Sequence, residues 1–598
     1  MSEVQVAPDA AKPNHYGEKL WFGHPPQLAW LFSTELWERF GYYGMRALLA
    51  IYLAGWFFFD DATVGGLYGA FASLVYLTPL FGGMIADRVL GSKFSVKIGA
   101  ILMALGYTGL ALGGQQAKPT FEYQNQTYAV QVIESGKDRQ QQVIAPGGAY
   151  TIRGNEDGSL TLEGATGADL PASLPKGSYK FGAERDPVSV ALLLLSLSLV
   201  IVGNGLFKPN ISTMVGSLYT QGDRRRDSGF TIFYLGINLG SVFSQAIAPV
   251  LAVALGWWAG FGLVAVGMTI SWLMMHFDGG RLTGYGEPPE GIAHKTKLLI
   301  YVAILVAIPV AWLLLDNTVL TAAAAQAAAK AGDGVFGYLA SLPILGKAMI
   351  FAFVISIIGI PLWALRAGSR DQFEKMLAAI ILVVFSVVFW TLFELAGSAL
   401  TLFAERSTDR HLIGGYEMPG GQVQIFNPIF IVMLAPVFAA LWLKLGAKGR
   451  EPSIPVKFAI GLILVGAGYL VVVLGSQFAD SQFRVALIWV ALLYLLHSVG
   501  ELCLSPVGLS MITKLSMAKV VGLMMGTWFL GISMAQYVGG IITQFASVET
   551  VGGAVTNPKV ALETYVGVFQ TIGSTAVIFG VLLLLVSPLI KRIMHGVQ

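Results

Sequence analysis

Six polar or ionisable residues recur at helical spacing inside the first long apolar stretch of the chain: Glu35, Glu38, Arg39, Tyr42, Tyr43 and Arg46. At about 100° per residue they fall within an arc of roughly 140°, so one face of one helix carries two acids, two bases and two phenols. Each charge held mid-bilayer costs about 2.5–3.5 kcal/mol on the insertion scale, a cost retained where such groups pair with one another or line a water-filled path. Neighbouring acids and bases in such a path can bind and pass protons and can hold the charged ends of a solute. Further ionisable or amide side chains interrupt later apolar runs, among them Lys208, Asn238, Glu394, Asn427 and Glu501.

The elements that must position these residues are membrane helices. Hydrophobic residues make up 55% of the 598 and charged residues 12%, and mean hydropathy is +0.67, a composition that excludes an ordinary soluble domain. Apolar runs fall near 28–56, 62–86, 95–113, 188–213, 229–252, 255–277, 298–316, 346–366, 377–402, 425–445, 456–475, 484–512, 520–545 and 564–590. Each is long enough to cross about 30 Å of hydrocarbon at 1.5 Å per residue. The expectation is an all-α polytopic membrane protein of fourteen spans.

Charge asymmetry orients it. With the N-terminus inside, the inner loops and tails hold 22 Lys or Arg and the short outer loops six: Lys330, Lys347, Arg406, Arg410, Arg484 and Lys559. The positive-inside rule then places both termini in the cytoplasm. Residues 1–27 are polar, contain Pro25-Pro26 and do not read as a cleavable signal. The net charge of +3 follows from loop asymmetry and suggests no nucleic-acid partner, and a single cysteine, Cys503, excludes an intrachain disulfide.

Two insertions interrupt the march of helices. Residues 114–187 are rich in Gly, Thr and Gln, with alternating stretches such as 127–132 and 159–162 between turn signals, and read as a small β-rich extracytoplasmic insertion. A stabilising role is favoured for it over a lid or docking role. The helix pair at 298–316 and 346–366, joined by an Ala-rich outer segment, Thr321 to Ala331, leaves six helices on either side. The domain plan is therefore a cytoplasmic N-terminal segment (1–27), an N-terminal six-helix bundle (28–277) holding the 114–187 insertion, a linker with the extra helix pair (278–376), a C-terminal six-helix bundle (377–590) and a cytoplasmic tail (591–598).

Several motifs carry a family resemblance. The stretch 83–93, Gly-Met-Ile-Ala-Asp-Arg-Val-Leu-Gly-Ser-Lys, resembles the cytoplasmic loop signature of the major facilitator superfamily, with Asp87 free to meet a neighbouring helix N-terminus. Residues 35–43, Glu-Leu-Trp-Glu-Arg-Phe-Gly-Tyr-Tyr, resemble the first-helix signature of the proton-dependent oligopeptide transporter family, prokaryotic type, and residues 233–241, Phe-Tyr-Leu-Gly-Ile-Asn-Leu-Gly-Ser, its fifth-helix signature. The likeness continues through Val75 to Pro79, Phe207-Lys208-Pro209, Phe389-Trp390 with Glu394, Phe426-Asn427-Pro428, Gly500-Glu501 with residues 505–509, and Trp528-Phe529-Leu530. It implies the major facilitator fold and proton-coupled import of di- and tripeptides by alternating access, in a bacterial inner membrane, with no cofactor beyond protons as the coupling ion and no assigned protein partner.

The resemblance fits the chemistry of the solute. A peptide zwitterion needs a cation for its carboxylate, an anion for its amine, amide groups for its backbone and apolar walls. By the family pattern Arg46 and Lys208, with Tyr43, take the carboxylate, Glu501 the amine, Asn238 and Asn427 the backbone, and Tyr42, Tyr76, Trp390 and Trp528 form walls. Glu35, Glu38 and Arg39 become the proton relay, and Arg46 with Glu394, and Lys208 with Glu501, become gate salt bridges. His497, four residues before Glu501, is read as an interhelical hydrogen-bonding residue outside the site. Gly69 stands where animal members carry an important histidine, so proton handling falls to carboxylates. Leu395 and the Gly531-Ile532 pair depart from the family pattern and bear on selectivity.

Other readings are weaker. A carrier of another small solute such as nitrate would commonly lack the first-helix acids and arginine, and a peptide-binding membrane sensor would need no proton relay. No nucleotide-binding Gly-rich loop, His-Glu-x-x-His pair or Ser nucleophile elbow is present, so the chain does not read as an enzyme.

Overall fold

A computed structural model describes residues 20–597 except 136, 137, 168, 221, 332, 333 and 413. Residues 1–19 of the N-terminal segment and the last residue of the tail lie outside the described residues. Six long helices come first: α1 (Gln27–Gly55), α2 (Asp61–Ile85), α3 (Ser92–Leu112), α4 (Pro187–Ser217), α5 (Arg225–Leu255) and α6 (Trp257–His276). After α7 (His294–Ala331), α8 (Gly334–Ser341) and α9 (Ile344–Ala367) come α10 (Arg370–Glu394), α11 (Ala399–Ser407), α12 (Phe426–Ala447), α13 (Ile454–Ser476), α14 (Leu487–Leu515), α15 (Val521–Phe545) and α16 (Pro558–Ile593).

Among the described residues thirteen helices have the length and hydropathy to cross a membrane. The 29-residue α1, with its four charges Glu35, Glu38, Arg39 and Arg46, makes the fourteenth long helix. Local chemistry starts several of them. Asp60 accepts the Thr63 amide at 2.9 Å ahead of α2, Asp186 accepts that of Ser189 at 2.8 Å ahead of Pro187 in α4, and Asn557 caps α16 through Val560. Ser369 and Gln372 form a reciprocal capping box at α10.

The helices pack as two six-helix bundles, α1–α6 and α10–α16, with α10 and α11 together making one span. Between them, α7 lies against α2 and α4, and α9 against α10 and α15. Both expose much of their length, as expected of a peripheral pair. One detail differs from expectation: the Ala-rich segment Thr321 to Ala331 is not a separate connector but the end of the 38-residue α7, because alanine is the strongest helix former.

Residues 83–93 also differ from the expected loop. The α2 helix runs on through a π-helical turn, Ala86–Leu90, and only Gly91 leaves it, at φ +74°. A Cβ on Gly91 would meet the backbone of Gly286, Glu287 and Pro288, so the glycine serves both the left-handed turn and a close approach. Asp87 is exposed and makes no polar contact among the described residues, so the contact with a helix N-terminus is not formed.

The insertion is a seven-stranded antiparallel sheet built from β1 (Lys118–Tyr123), β2 (Gln126–Ser135), β3 (Asp138–Ala145), β4 (Gly148–Gly154), β5 (Leu160–Glu163), β6 (Ser173–Leu174) and β7 (Tyr179–Glu184), in the order β6-β5-β4-β3-β2-β1-β7. Gln124 and Asn125, at φ 48° and 64°, make the two-residue turn between β1 and β2. Its core gathers Phe121, Val143, Ile152, Leu160 and Leu162, and takes in Val551 from the hairpin between α15 and α16. Gly154 N donates to Thr556 O at 3.2 Å, Asn557 Nδ2 donates to Gly154 O at 2.9 Å, and Lys559 pairs with Glu156 at 2.7 Å. The insertion of the first bundle is thus docked on a loop of the second.

Candidate functional site

The site begins with how closely α1 and α5 approach. Gly236 and Gly240, one helical turn apart on α5, lie against the α1 backbone: a Cβ on Gly236 would come within 3.2 Å of Phe32 O, and one on Gly240 within 3.0 Å of Phe40 N. These small residues let the helices touch. Asn238 is buried and donates to Tyr234 O at 3.0 Å.

On that face Arg39 Nε lies 2.9 Å from Glu35 and also contacts Glu38. All three are buried, and neither Glu38 oxygen nor Glu35 Oε2 has a hydrogen-bond partner among the described residues. Two carboxylates therefore share one guanidinium. Lys208 of α4 stands near enough to act electrostatically on both acids, and its ammonium lies 4.2 Å from the centre of the Tyr76 ring.

Two helical turns after Arg39, Arg46 Nη2 lies 2.8 Å from Glu394 Oε2, across the division between the bundles, with side chains only 9% and 7% exposed. The pair meets because the span made by α10 and α11 breaks at this point. The α10 helix stops at Glu394, a 3₁₀ turn covers Leu395–Gly397, and α11 restarts at Ala399. A Cβ on Gly397 would sit 2.8 Å from Arg46 Nε and would also strike the Tyr68 hydroxyl. Only glycine lets the guanidinium lie against the broken backbone.

In the second bundle Asn427 Nδ2 donates to Glu501 Oε2 at 3.2 Å and to Ser498 Oγ at 3.1 Å. Glu501 forms no ion pair with Lys208 among the described residues, so that expected bridge is absent. Trp390 packs edge-on against Phe389 and Phe393, its indole N–H buried without a partner, and Trp528 is buried against Gly508. Tyr42 and Tyr43 meet edge to face at 5.4 Å. A small hollow bounded by Tyr43, Arg46, Gln245, Phe393, Asn427 and His497 offers about 20 Å³ to a water centre, enough for a water and far too little for a peptide. His497 Nε2 donates to Val465 O of α13 at 3.1 Å, an interhelical bond.

A second buried inter-bundle pair escaped sequence reasoning. Arg406 of α11 grips Asp61 at the start of α2 through two bonds, 2.7 and 2.9 Å, with side chains 5% and 1% exposed. Asp61 also accepts the Val548 amide at 3.0 Å, and Arg406 donates to the Tyr565 hydroxyl at 3.1 Å. Arg406 had counted as an outer-loop cation. On the same seam Ser73 Oγ and Ser533 Oγ lie 2.9 Å apart, and Gly69 meets Gly540 backbone to backbone, a Cβ there falling 2.7 Å from Gly540 Cα. No side chain fits at position 69 while the two helices lie this close.

All these inter-bundle contacts lie in the half of the molecule that carries the sheet. Towards the other end, where α1 starts and α16 ends, Lys208 and Glu501 form no ion pair among the described residues, and a Cβ on Gly526 of α15 would make an ordinary 3.5 Å contact with Leu80 of α2. The two inter-bundle ion pairs, Arg46–Glu394 and Asp61–Arg406, thus lie towards the sheet end.

Known proteins agree with this architecture. Residues 94–558 match the PTR2 profile, the POT family. The chain is 32% identical to the dipeptide and tripeptide permease A of Citrobacter koseri, covering 96% of this chain and 93% of that one, and 32% identical to the uncharacterised transporter YclF of Bacillus subtilis over 97% of each. A crystal structure of a peptide transporter POT in complex with sulfate superposes with a TM-score of 0.70, at 30% identity, covering 97% of this chain and 98% of that one. With the first- and fifth-helix motifs, the broken α10–α11 span and the two bundles in place, the chain belongs to the POT family.

Proposed function

We propose that this protein is a proton-coupled symporter of di- and tripeptides, set in the bacterial inner membrane with both termini in the cytoplasm, and that its conformation is the inward-facing one. The observation that carries the reading is the division of charge between bundles: Arg46 and Lys208 on one, Glu501 held by Asn427 on the other. A zwitterion bridging them would have its carboxylate at the cations and its amine at the carboxylate. The name of the Citrobacter permease and the peptide transporter structure support this solute. The excess of Lys and Arg at the end opposite the sheet supports the orientation.

In the cycle we infer, a proton on Glu394 releases Arg46 and weakens the sheet-end closure, while a peptide amine or a proton at Glu501 competes with Lys208 for that carboxylate. Glu35, Glu38 and Arg39 feed protons to the cavity. A cation–carboxylate contact in low dielectric holds only while both partners are charged, so one proton changes the balance between the two closures. Protons and peptide serve as the coupled cargo, the bilayer is the surrounding medium, and no further cofactor takes part.

The test is uptake of labelled dialanine into proteoliposomes. Accumulation that needs an inward proton gradient and collapses with a protonophore is the expected result; binding without accumulation would overturn symport in favour of a sensor. Glu38→Gln should abolish gradient-driven accumulation while sparing peptide counterflow, and equal loss of both would remove the relay role.

A further inference from the structure

Where α3 and α7 begin, a hollow of about 360 Å³ opens between the first bundle and the extra helix. Its rim carries Lys93, Lys97 and Lys297, and its floor is apolar, with Val89 and Leu90 continuing into the buried cluster of Ile304 and Ile308. Phe94 and Tyr301 meet edge to face at 6.1 Å across its mouth.

The charges are uneven. Lys93 is occupied, 2.9 Å from Asp278 and 3.6 Å from Glu287, the one carboxylate on the wall. Lys97 and Lys297 are both half-buried and neither has an acidic partner among the described residues. Two uncompensated ammonium groups therefore overlook an apolar floor at the end of two membrane helices. Lys97 lies five residues into α3, about 8 Å below its start at 1.5 Å per residue, the depth at which a lysine extends towards the headgroup layer. The outward side of α7 along this seam, Leu298, Leu299, Val302 and Leu305, is exposed, so the hollow opens towards lipid.

We propose that this hollow is a binding site for an anionic glycerophospholipid. Its phosphodiester sits between Lys97 and Lys297, its glycerol lies against Phe94 and Tyr301, and an acyl chain follows Ile304 and Ile308 along the seam. Free phosphate satisfies the lysines alone and leaves the apolar floor unfilled, so the lipid is the source to which the geometry commits. Bound there, the lipid joins α7 to the first bundle at a point where no side-chain ion pair links the two among the described residues.

The test uses the full chain purified in detergent and native mass spectrometry. It is titrated with phosphatidylglycerol, with phosphatidylcholine of the same acyl chains, and with inorganic phosphate. Wild type should retain one phosphatidylglycerol in preference to phosphatidylcholine and should show no phosphate adduct. The Lys97→Gln, Lys297→Gln double variant should bind phosphatidylglycerol about 30-fold more weakly, from two lysines near the headgroup layer, with phosphatidylcholine retention unchanged. The Lys97→Arg, Lys297→Arg variant should keep the preference. Equal phosphatidylglycerol retention in wild type and the Gln variant would mean annular lipid only and overturn the site, as would phosphate binding that matches the lipid. Dialanine uptake in phosphatidylcholine liposomes reports that each variant folds, since neither lysine touches the transport cavity.

Discussion

The buried Asp61–Arg406 pair sets how firmly the sheet end stays shut, and Asp61→Ala measures it. In the closed state the substitution leaves the Arg406 guanidinium, 5% exposed, with only the Tyr565 hydroxyl, and strips the Val548 amide of its acceptor. Removing one partner of a buried ion pair costs about 3–5 kcal/mol. Opening the sheet end separates α2 from α11 and returns Arg406 to water, so the cost falls almost wholly on the closed state. At about 1.4 kcal/mol per tenfold, the balance moves towards the sheet-end-open state by roughly two to three and a half orders of magnitude.

The assay is spin-label distance measurement in liposomes. Gln116 and Tyr416 are exposed at the sheet end, Thr213 and Thr513 at the other, and the single native cysteine, Cys503, is buried and labels poorly. Asp61→Ala should lengthen the first distance and shorten the second, and should slow uptake because the state that releases peptide inward is depleted. An Asp61→Arg, Arg406→Asp exchange should recover part of the wild-type distribution. Unchanged distances in Asp61→Ala would refute the reasoning: the pair would then be carried as a unit through both states.

Two further perturbations probe the docking of the sheet and the opposite end. Val551→Asp places a carboxylate in the sheet's core, where a buried valine contributes about 1.5–3 kcal/mol; the sheet should undock from the α15–α16 hairpin, seen as faster amide exchange in residues 548–556, with the helical bundles unchanged. At the start of α3, burial by itself would raise the Asp278 carboxyl, but the hydrogen bond and charge of Lys93, with the amides of Leu282 and Gly280, outweigh it and hold Asp278 below the usual aspartate range. A depressed carboxyl stabilises above its ordinary value, near pH 4, and the contribution is lost as pH falls through the depressed one; exchange in residues 278–287 should therefore quicken only in that acid range, and Asp278→Asn should remove the step.

The charged face of α1 was legible because ionisable residues inside an apolar run are few and costly, so their helical spacing stands out. The fourteen helices followed from hydropathy for the same physical reason, and the alternation in residues 127–132 marked the β-rich insertion. Asp61 and Arg406 were not legible. An acid in a helix's first turn is ordinary, an arginine past the end of an apolar run reads as a loop cation, and nothing periodic links positions 345 apart. The break after Glu394 was hidden by its own composition, since residues 395–400 remain apolar or small. In hindsight the adjacent Gly397 and Ser398 were its one signal. Residues 83–93 read as a loop because charges follow glycines there, yet the backbone stays helical to Leu90 by passing into a wider π turn. The Lys208–Glu501 bridge, expected from the family pattern, is not formed among the described residues, where Asn427 holds Glu501 instead.

A last consequence comes from the charges of the proposed cavity taken together. Four carboxylates, Glu35, Glu38, Glu394 and Glu501, face three cations, Arg39, Arg46 and Lys208, so the fully ionised site carries one net negative charge. A dipeptide zwitterion leaves that charge unchanged and one proton cancels it. The loaded carrier then reorients neutral, whereas the empty carrier returns outward with a negative charge. An inside-negative potential favours that return by at most about 2.3 kcal/mol per 100 mV, reached only if the charge crosses the whole field. Net dialanine uptake into proteoliposomes should therefore accelerate when a potassium diffusion potential is applied, while peptide exchange, which uses only the loaded form, should not. Exchange that responds to potential as strongly as net uptake would mean that the loaded carrier bears charge, and would break the link between this constellation and a single neutralising proton.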